Sequence, residues 1–177
     1  MPKNKLDACD LHKLFISALD GGVASVSDLE SKPLLADLCL PLPMRIRLYM
    51  FNITHPPGGR TPGEHKIQLI VPGQERGQTG QFDQSNGRLV VLAGYSEDSD
   101  VFVLWDAGLY PEFSYSRNVQ VNPETVYAAA SGRLVTQDRR LRGQGIEKVI
   151  AAPPQKLKDA LQLRAQLTIA RLVGGDK

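Results

Sequence analysis

The chain has 177 residues, of which 42% are hydrophobic and 23% charged, and its formal net charge is +2. This length supports one full hydrophobic core, and the composition excludes global disorder. So small a net charge does not name a polyanionic partner, and the argument rests on where the charge sits.

Residues 10–19 read as a short amphipathic helix. Leu11, Leu14, Phe15, Ala18 and Leu19 recur at helical spacing, and Gly21-Gly22 ends it. His12 is expected on the rim of this helix. Residues 34–38 read as a second short helix or turn, ended by Pro41 and Pro43. Residues 45–53 alternate as a strand and lead into a turn-rich loop over 54–63. The next strand, 66–71, carries Ile67, Leu69 and Val71 on one face and Lys66, Gln68 and Ile70 on the other; Pro72-Gly73 closes it. Residues 77–87 are polar and glycine-rich. Residues 88–93 and 100–105 are apolar runs of the buried-strand type, and the turn at 96–99 makes them a hairpin.

A loop over 107–118 then leads to a short strand at 119–121. Asn122-Pro123-Glu124 is a helix start, with Asn as cap, Pro at the first helical position and Glu on the positive end of the dipole. Gly132 ends that helix. Residues 146–151 read as a last strand, and Pro153-Pro154 opens a closing helix over 155–172. Closely spaced short strands, with no regular strand–helix alternation, predict a mainly β fold with flanking helices. The chain divides into an N-terminal helical segment packed on the core (1–43), a strand-rich body (44–152) and a closing helix that runs into the start of a linker (153–177).

Cys9 and Cys39 are the only cysteines and read as two half-buried thiols, neither a disulfide framework nor a zinc site. No run of about 18 apolar residues is present to span a membrane. The first ten residues carry Lys3, Lys5, Asp7 and Asp10 and lack the apolar centre of a signal peptide, so the expected location is cytoplasmic.

Charge is segregated. Residues 45–88 hold six basic residues (Arg45, Arg47, Arg60, Lys66, Arg76, Arg88) against three acidic ones. Residues 96–112 hold five acidic residues and no basic one, and residues 133–148 hold Arg133, Arg139, Arg140, Arg142 and Lys148 against two acidic residues. Two basic segments fit a surface that tracks phosphates, with Arg45, Arg47, Arg76, Arg88, Arg139, Arg140 and Arg142 as the expected phosphate contacts. Arg60, Thr61, His65, Lys66 and Gln68 cluster on and after one loop. Tyr115, Ser116, Arg117, Asn118 and Gln120 cluster at the end of another. Arg reads guanine through two parallel hydrogen bonds, Asn or Gln reads adenine likewise, and hydroxyls serve phosphates.

The segment RIRLYMFNITHPPGGRTPGEHKIQLIVPG, residues 45–73, resembles the N-terminal effector domain of the EcoRII-type restriction endonucleases. The closing segment IEKVIAAPPQKLKDAL is similar to the end of such restriction-associated domains. The resemblance implies an open seven-stranded pseudobarrel of the B-three-like DNA-binding kind, with short helices at both ends. It implies two arms in the major groove: residues 58–66 as the first and residues 113–118 as the second. The first arm would contact DNA through Arg60, Thr61, His65 and Lys66, and the second through Tyr115, Ser116, Arg117 and Asn118. The first loop here is richer in proline than the family's, and the second is less basic.

Other chemistries are weaker. Glu64-His65-Lys66 contains the E-x-K of metal nucleases, but strand 45–53 offers no second carboxylate for Mg²⁺. No G-x-S-x-G elbow and no G-K-S/T phosphate loop is present. Trp105 and Phe102 belong in a core, whereas Tyr110 and Phe113, in a loop, are either residues that stack on or wedge between bases or aromatics tucked onto the core. The sequence therefore reads as a non-catalytic recognition domain of a restriction or defence endonuclease, needing no cofactor or metal. Its expected partners are double-stranded DNA and a nuclease domain in the same or a partner chain. The alternatives are a protein-interaction module docking through an acidic 96–112 face, and a divergent Mg²⁺-dependent nuclease using Glu64 and Lys66.

Overall fold

A computed structural model describes residues 5–39, 43–54, 65–143 and 145–174. Its elements are α1 (Ala8–Ala18), β1 (Val23–Val26), β2 (Leu34–Leu38), β3 (Met44–Asn52), β4 (His65–Leu69), β5 (Thr79–Gly80), β6 (Leu89–Ser96), β7 (Val101–Trp105), β8 (Phe113–Ser114), β9 (Arg117–Val121), α2 (Pro123–Ala130), β10 (Val135–Leu141), β11 (Gly145–Ala152) and α3 (Leu157–Gly174). The fold is mainly β, with an open seven-stranded mixed sheet in the order β1-β2-β3-β6-β7-β11-β10. Only the β3–β6 pair is parallel; the other neighbours run antiparallel.

The apolar runs of β3, β6 and β7 follow from burial on both faces, which removes any need for polar alternation. One face holds Ile46, Leu48, Met50, Val91, Ala93, Phe102 and Leu104 under α1 and α3, which add Leu11, Phe15, Leu157 and Leu161. The other face holds Tyr49, Phe51, Leu92, Val103 and Trp105. It is covered by α2, through Val126 and Ala129, and by a two-stranded antiparallel ribbon of β4 and β9. Each ribbon strand lies in an excursion from the main sheet. β4 interrupts the crossover from β3 to β6, and β9 interrupts the path from β7 to β10.

Local signals set the helices. The Asp7 carboxylate caps α1 by accepting from the Asp10 amide at 2.8 Å. Pro123 starts α2 as expected, but the Asn122 side chain makes no cap. The Gln137 Oε1 of β10 instead accepts from the Asn122 amide and the Thr125 hydroxyl, each at 2.9 Å. Cys9 and Cys39 are half-buried free thiols.

Several expectations change. Residues 34–38 form a strand, not a helix or turn: Leu34, Ala36 and Leu38 point into the core while Leu35 and Asp37 do not, a period of two that pairing with β3 stabilises. The first 43 residues thus supply two sheet strands as well as a helix. His12 is fully buried rather than on a rim, with Nδ1 2.6 Å from the Leu29 carbonyl oxygen. Of the two readings of Tyr110 and Phe113, core packing is the one that holds. The strands at 23–26 and 135–141 were not expected, because edge strands retain polar residues on their open side.

Gly94 on β6 sets the distance between ribbon and sheet. A Cβ there would lie 2.7 Å from Ile53 Cγ1, 2.9 Å from Ile67 Cγ2 and 3.0 Å from Trp105 Cζ3. All three neighbours are core atoms with little room to yield. Gly94→Ala should therefore lower unfolding free energy by about 1–3 kcal/mol, read as a reduced urea midpoint at an unchanged slope.

Candidate nucleic-acid interface

The β4–β9 ladder pairs His65 with Val121, Lys66 with Gln120, Ile67 with Val119, Gln68 with Asn118 and Leu69 with Arg117. Directly opposed residues in an antiparallel pair point to the same side. Ile67, Leu69, Val119 and Val121 are buried against the sheet. Lys66, Gln68, Asn118 and Gln120 consequently share the opposite face, with Gln68 and Asn118 exposed and Lys66 and Gln120 half-buried. One lysine and three carboxamides stand in two cross-strand pairs. Trp105, 1% exposed, donates Nε1–H to the Gln120 carbonyl at 3.0 Å and ties this ribbon to the sheet.

The other residues expected to bind DNA are placed differently. His65 and Arg117 belong to the inward set. His65 is 6% exposed and meets the Tyr127 ring edge-on at 5.8 Å. Arg117 lies 4.9 Å above the Tyr110 ring, opposite in direction to its neighbour Asn118. Tyr115 and Ser116 line a cleft beside the ribbon with Arg76, Gln78, Thr79 and Ser114. Ser116 takes a positive φ of 63°, and its amide donates to the Leu69 carbonyl, folding that turn back onto β4. Arg60 and Thr61 lie outside the described residues, as does Glu64 of the E-x-K motif.

The expected phosphate contacts divide in two. Arg47 is 4% exposed, and its Nη1 donates to the carbonyls of Asp83 and Ser85 at 2.7 and 3.0 Å. Arg88 donates to the Ala36 and Ile46 carbonyls and pairs with Asp37 at 3.0 Å. Arg139 pairs with buried Glu147 at 3.4 Å. These three guanidinium groups hold the fold together. Arg76, Arg140 and Arg142 are exposed, and Arg45, also exposed, makes a longer contact of 3.6 Å to Asp37.

A buried polar network adjoins the ribbon end. The Tyr110 hydroxyl donates to Glu147 at 2.7 Å, and the Asp106 amide donates to the other Glu147 oxygen at 3.0 Å. Asp106 receives two hydrogen bonds from Arg171 of α3. Arg164 of the same helix donates to the Lys148 carbonyl. The acidic 96–112 segment is therefore not one face: Asp106 is buried, while Glu97, Asp98, Asp100 and Glu112 are exposed. Sequence reading missed this network because its members come from four separate segments.

Among the described residues, no group of His, Cys, Asp and Glu is arranged to hold a metal ion. No helix among them is long and apolar enough to cross a membrane.

Residues 44–161 match the family model described as methylase-associated X1. The chain belongs to the methylase-associated X1 family. This membership associates it with restriction–modification systems. The matched region runs from the start of β3 into α3 and contains the whole ribbon. No curated protein and no solved structure matches the chain. The methylase-associated X1 region thus includes both excursions that build the polar face, while α1, β1 and β2 precede it.

Burial raises the Glu147 carboxyl above its usual range, against the opposing hydrogen bonds from Tyr110 and the Asp106 amide. Glu147 therefore holds its proton more tightly folded than unfolded. Its contribution to stability is fully present below the ordinary carboxyl range and is lost as pH rises through the folded value. The Tyr110 hydroxyl limits that loss. Tyr110→Phe should cost about 1–3 kcal/mol, with a larger loss at pH 8 than at pH 4, measured by urea unfolding at both pH values.

Proposed function

We propose that this chain binds double-stranded DNA, with the outer face of the β4–β9 ribbon in the major groove. On this reading it is a non-catalytic recognition domain of a restriction–modification or defence system. The observation that carries the proposal is the ladder register, which gathers Lys66, Gln68, Asn118 and Gln120 on one face although the two strands are about fifty residues apart in sequence.

The major groove, about 12 Å wide, admits a two-stranded ribbon, and a carboxamide matches the N6 and N7 edge of adenine. Gln68 and Asn118, opposed and exposed, are the best placed to read bases. Lys66 would serve the backbone at the ribbon's other end. Arg76, beside the Tyr115-Ser116 turn, and Arg140 and Arg142 of the β10–β11 hairpin would add phosphate contacts that fix register. Neutral readers flanked by exposed cations match what sequence-specific binding needs: charge for affinity and amides for choice. The resemblance to B-three-like pseudobarrels supports the same surface, since its two arms correspond to the sequence segments that run into β4 and β9. Membership in a methylase-associated family supports the biological setting.

The test is selection from a random pool of duplexes, with and without base modification, over a salt titration. An enriched motif whose affinity falls steeply with salt is expected. Asn118→Ala and Gln68→Ala should each cost about 1–3 kcal/mol on the selected site and little on random duplex. Lys66→Ala should weaken both alike. No retention of any duplex at low salt would overturn the proposal.

A further inference from the structure

A cleft opens between the segment leading into α1, the end of β3 and β4, with Lys5, Lys32, Asn52, Thr54 and Gln68 among its polar lining. Among the described residues, no carboxylate lines it. The Asn52 side chain is occupied in fixing the wall: its Oδ1 accepts from the Leu6 amide at 3.2 Å and its Nδ2 donates to the Leu6 carbonyl at 2.8 Å. That clamp holds Lys5, one residue earlier, at the cleft. With the Gln68 carboxamide turned to the bases, the groups left to meet a ligand are the two ammonium groups.

Lys32 is the unusual member. Its Nζ sits 3.8 Å from the centroid of the Phe51 ring, and it has no carboxylate partner among the described residues. The ring face offsets part of the cost of desolvating an ammonium group but does not neutralise it. Burial pulls the Lys32 pKa down to about 8, so at neutral pH the cation is retained at a cost. Its charge is also felt by the buried His12 ring, whose pKa is lowered chiefly by burial and further by Lys32. A concave site with two lysines and, among the described residues, no carboxylate has the composition of an anion site.

We infer that this cleft is a phosphate site, filled by a phosphodiester of the DNA strand that passes Gln68. The inference rests on the proposed DNA reading, because Gln68 belongs both to the ribbon's outer face and to the cleft lining. The cleft would fix the register of the strand while Gln68 and Asn118 meet the bases beside it.

The experiment uses the full chain and two substitutions, Lys32→Met and Lys5→Met, with circular dichroism and thermal melting confirming the fold of each. Lys5→Met alters an exposed side chain, so it keeps the test open if Lys32→Met fails to fold. Each should reduce the slope of log Kobs against log salt by about 0.9 on the selected duplex, whereas Asn118→Ala should leave the slope unchanged. A scan of single methylphosphonate substitutions should find one position that weakens binding by the parent protein but not by Lys32→Met. Unchanged slopes together with no such position would overturn the inference. If the parent protein binds no duplex, the DNA reading fails, and inorganic phosphate and pyrophosphate then judge the cleft. Their protection of Lys32 from acylation, read by mass spectrometry, would support a phosphate site with a different source of phosphate. No protection would overturn the site as well.

Discussion

Gly94 has no side chain, and Ile53, Ile67 and Trp105 crowd the place a Cβ would take, so the ribbon approaches the main sheet closely there. The Trp105 indole adds a hydrogen bond to the Gln120 carbonyl. Through these contacts β4 and β9 settle on the sheet as a ribbon whose inner residues are apolar and whose outer residues are polar. Because side chains alternate strictly along a strand, burying Ile67, Leu69, Val119 and Val121 leaves Lys66, Gln68, Asn118 and Gln120 no other direction. Packing on the hidden side thus decides what the open side displays.

The same alternation separates residues that are adjacent in sequence. Arg117 and Asn118 are neighbours, yet one lies over Tyr110 and the other faces outward. His65 and Lys66 divide in the same way. Basic residues divide by burial too. Arg47, Arg88 and Arg139 satisfy carbonyls and carboxylates within the fold, while Arg76, Arg140 and Arg142 are exposed. A count of charges along the chain gives these two groups equal weight, although a buried guanidinium that lost its carbonyls would carry a large desolvation cost.

The network around Glu147 performs a different task. It joins the end of β7, the 3₁₀ turn at Ala107–Leu109, β10, β11 and the helix α3 through side chains that reach one another only after the sheet has formed. Arg164 and Arg171 lock α3 to the sheet at a point where its apolar face is narrow, with Leu157, Ala160 and Leu161 buried and the distal Ile169, Leu172 and Val173 exposed. Polar ties thus supplement apolar packing in holding the closing helix.

The sequence by itself determined the mainly β class, the β6–β7 hairpin, the helix begun by Pro123, the closing helix and most of the core. Each depends on local pattern: apolar runs, turn residues and caps act over a few positions. It also identified both segments that the ribbon uses, from their residue types. It missed the strands at 34–38 and 135–141. LLADL is too short to show its period of two, and VTQDRRL is an edge strand with no apolar run, whose Asp138 and Arg140 stay exposed. The pairing of Gln68 with Asn118, the inward turn of His65 and Arg117, and the cleft beneath Lys32 were decided by tertiary structure alone. They depend on which of two faces a strand buries and on contacts between segments tens of residues apart, and neither is encoded in any local stretch of sequence.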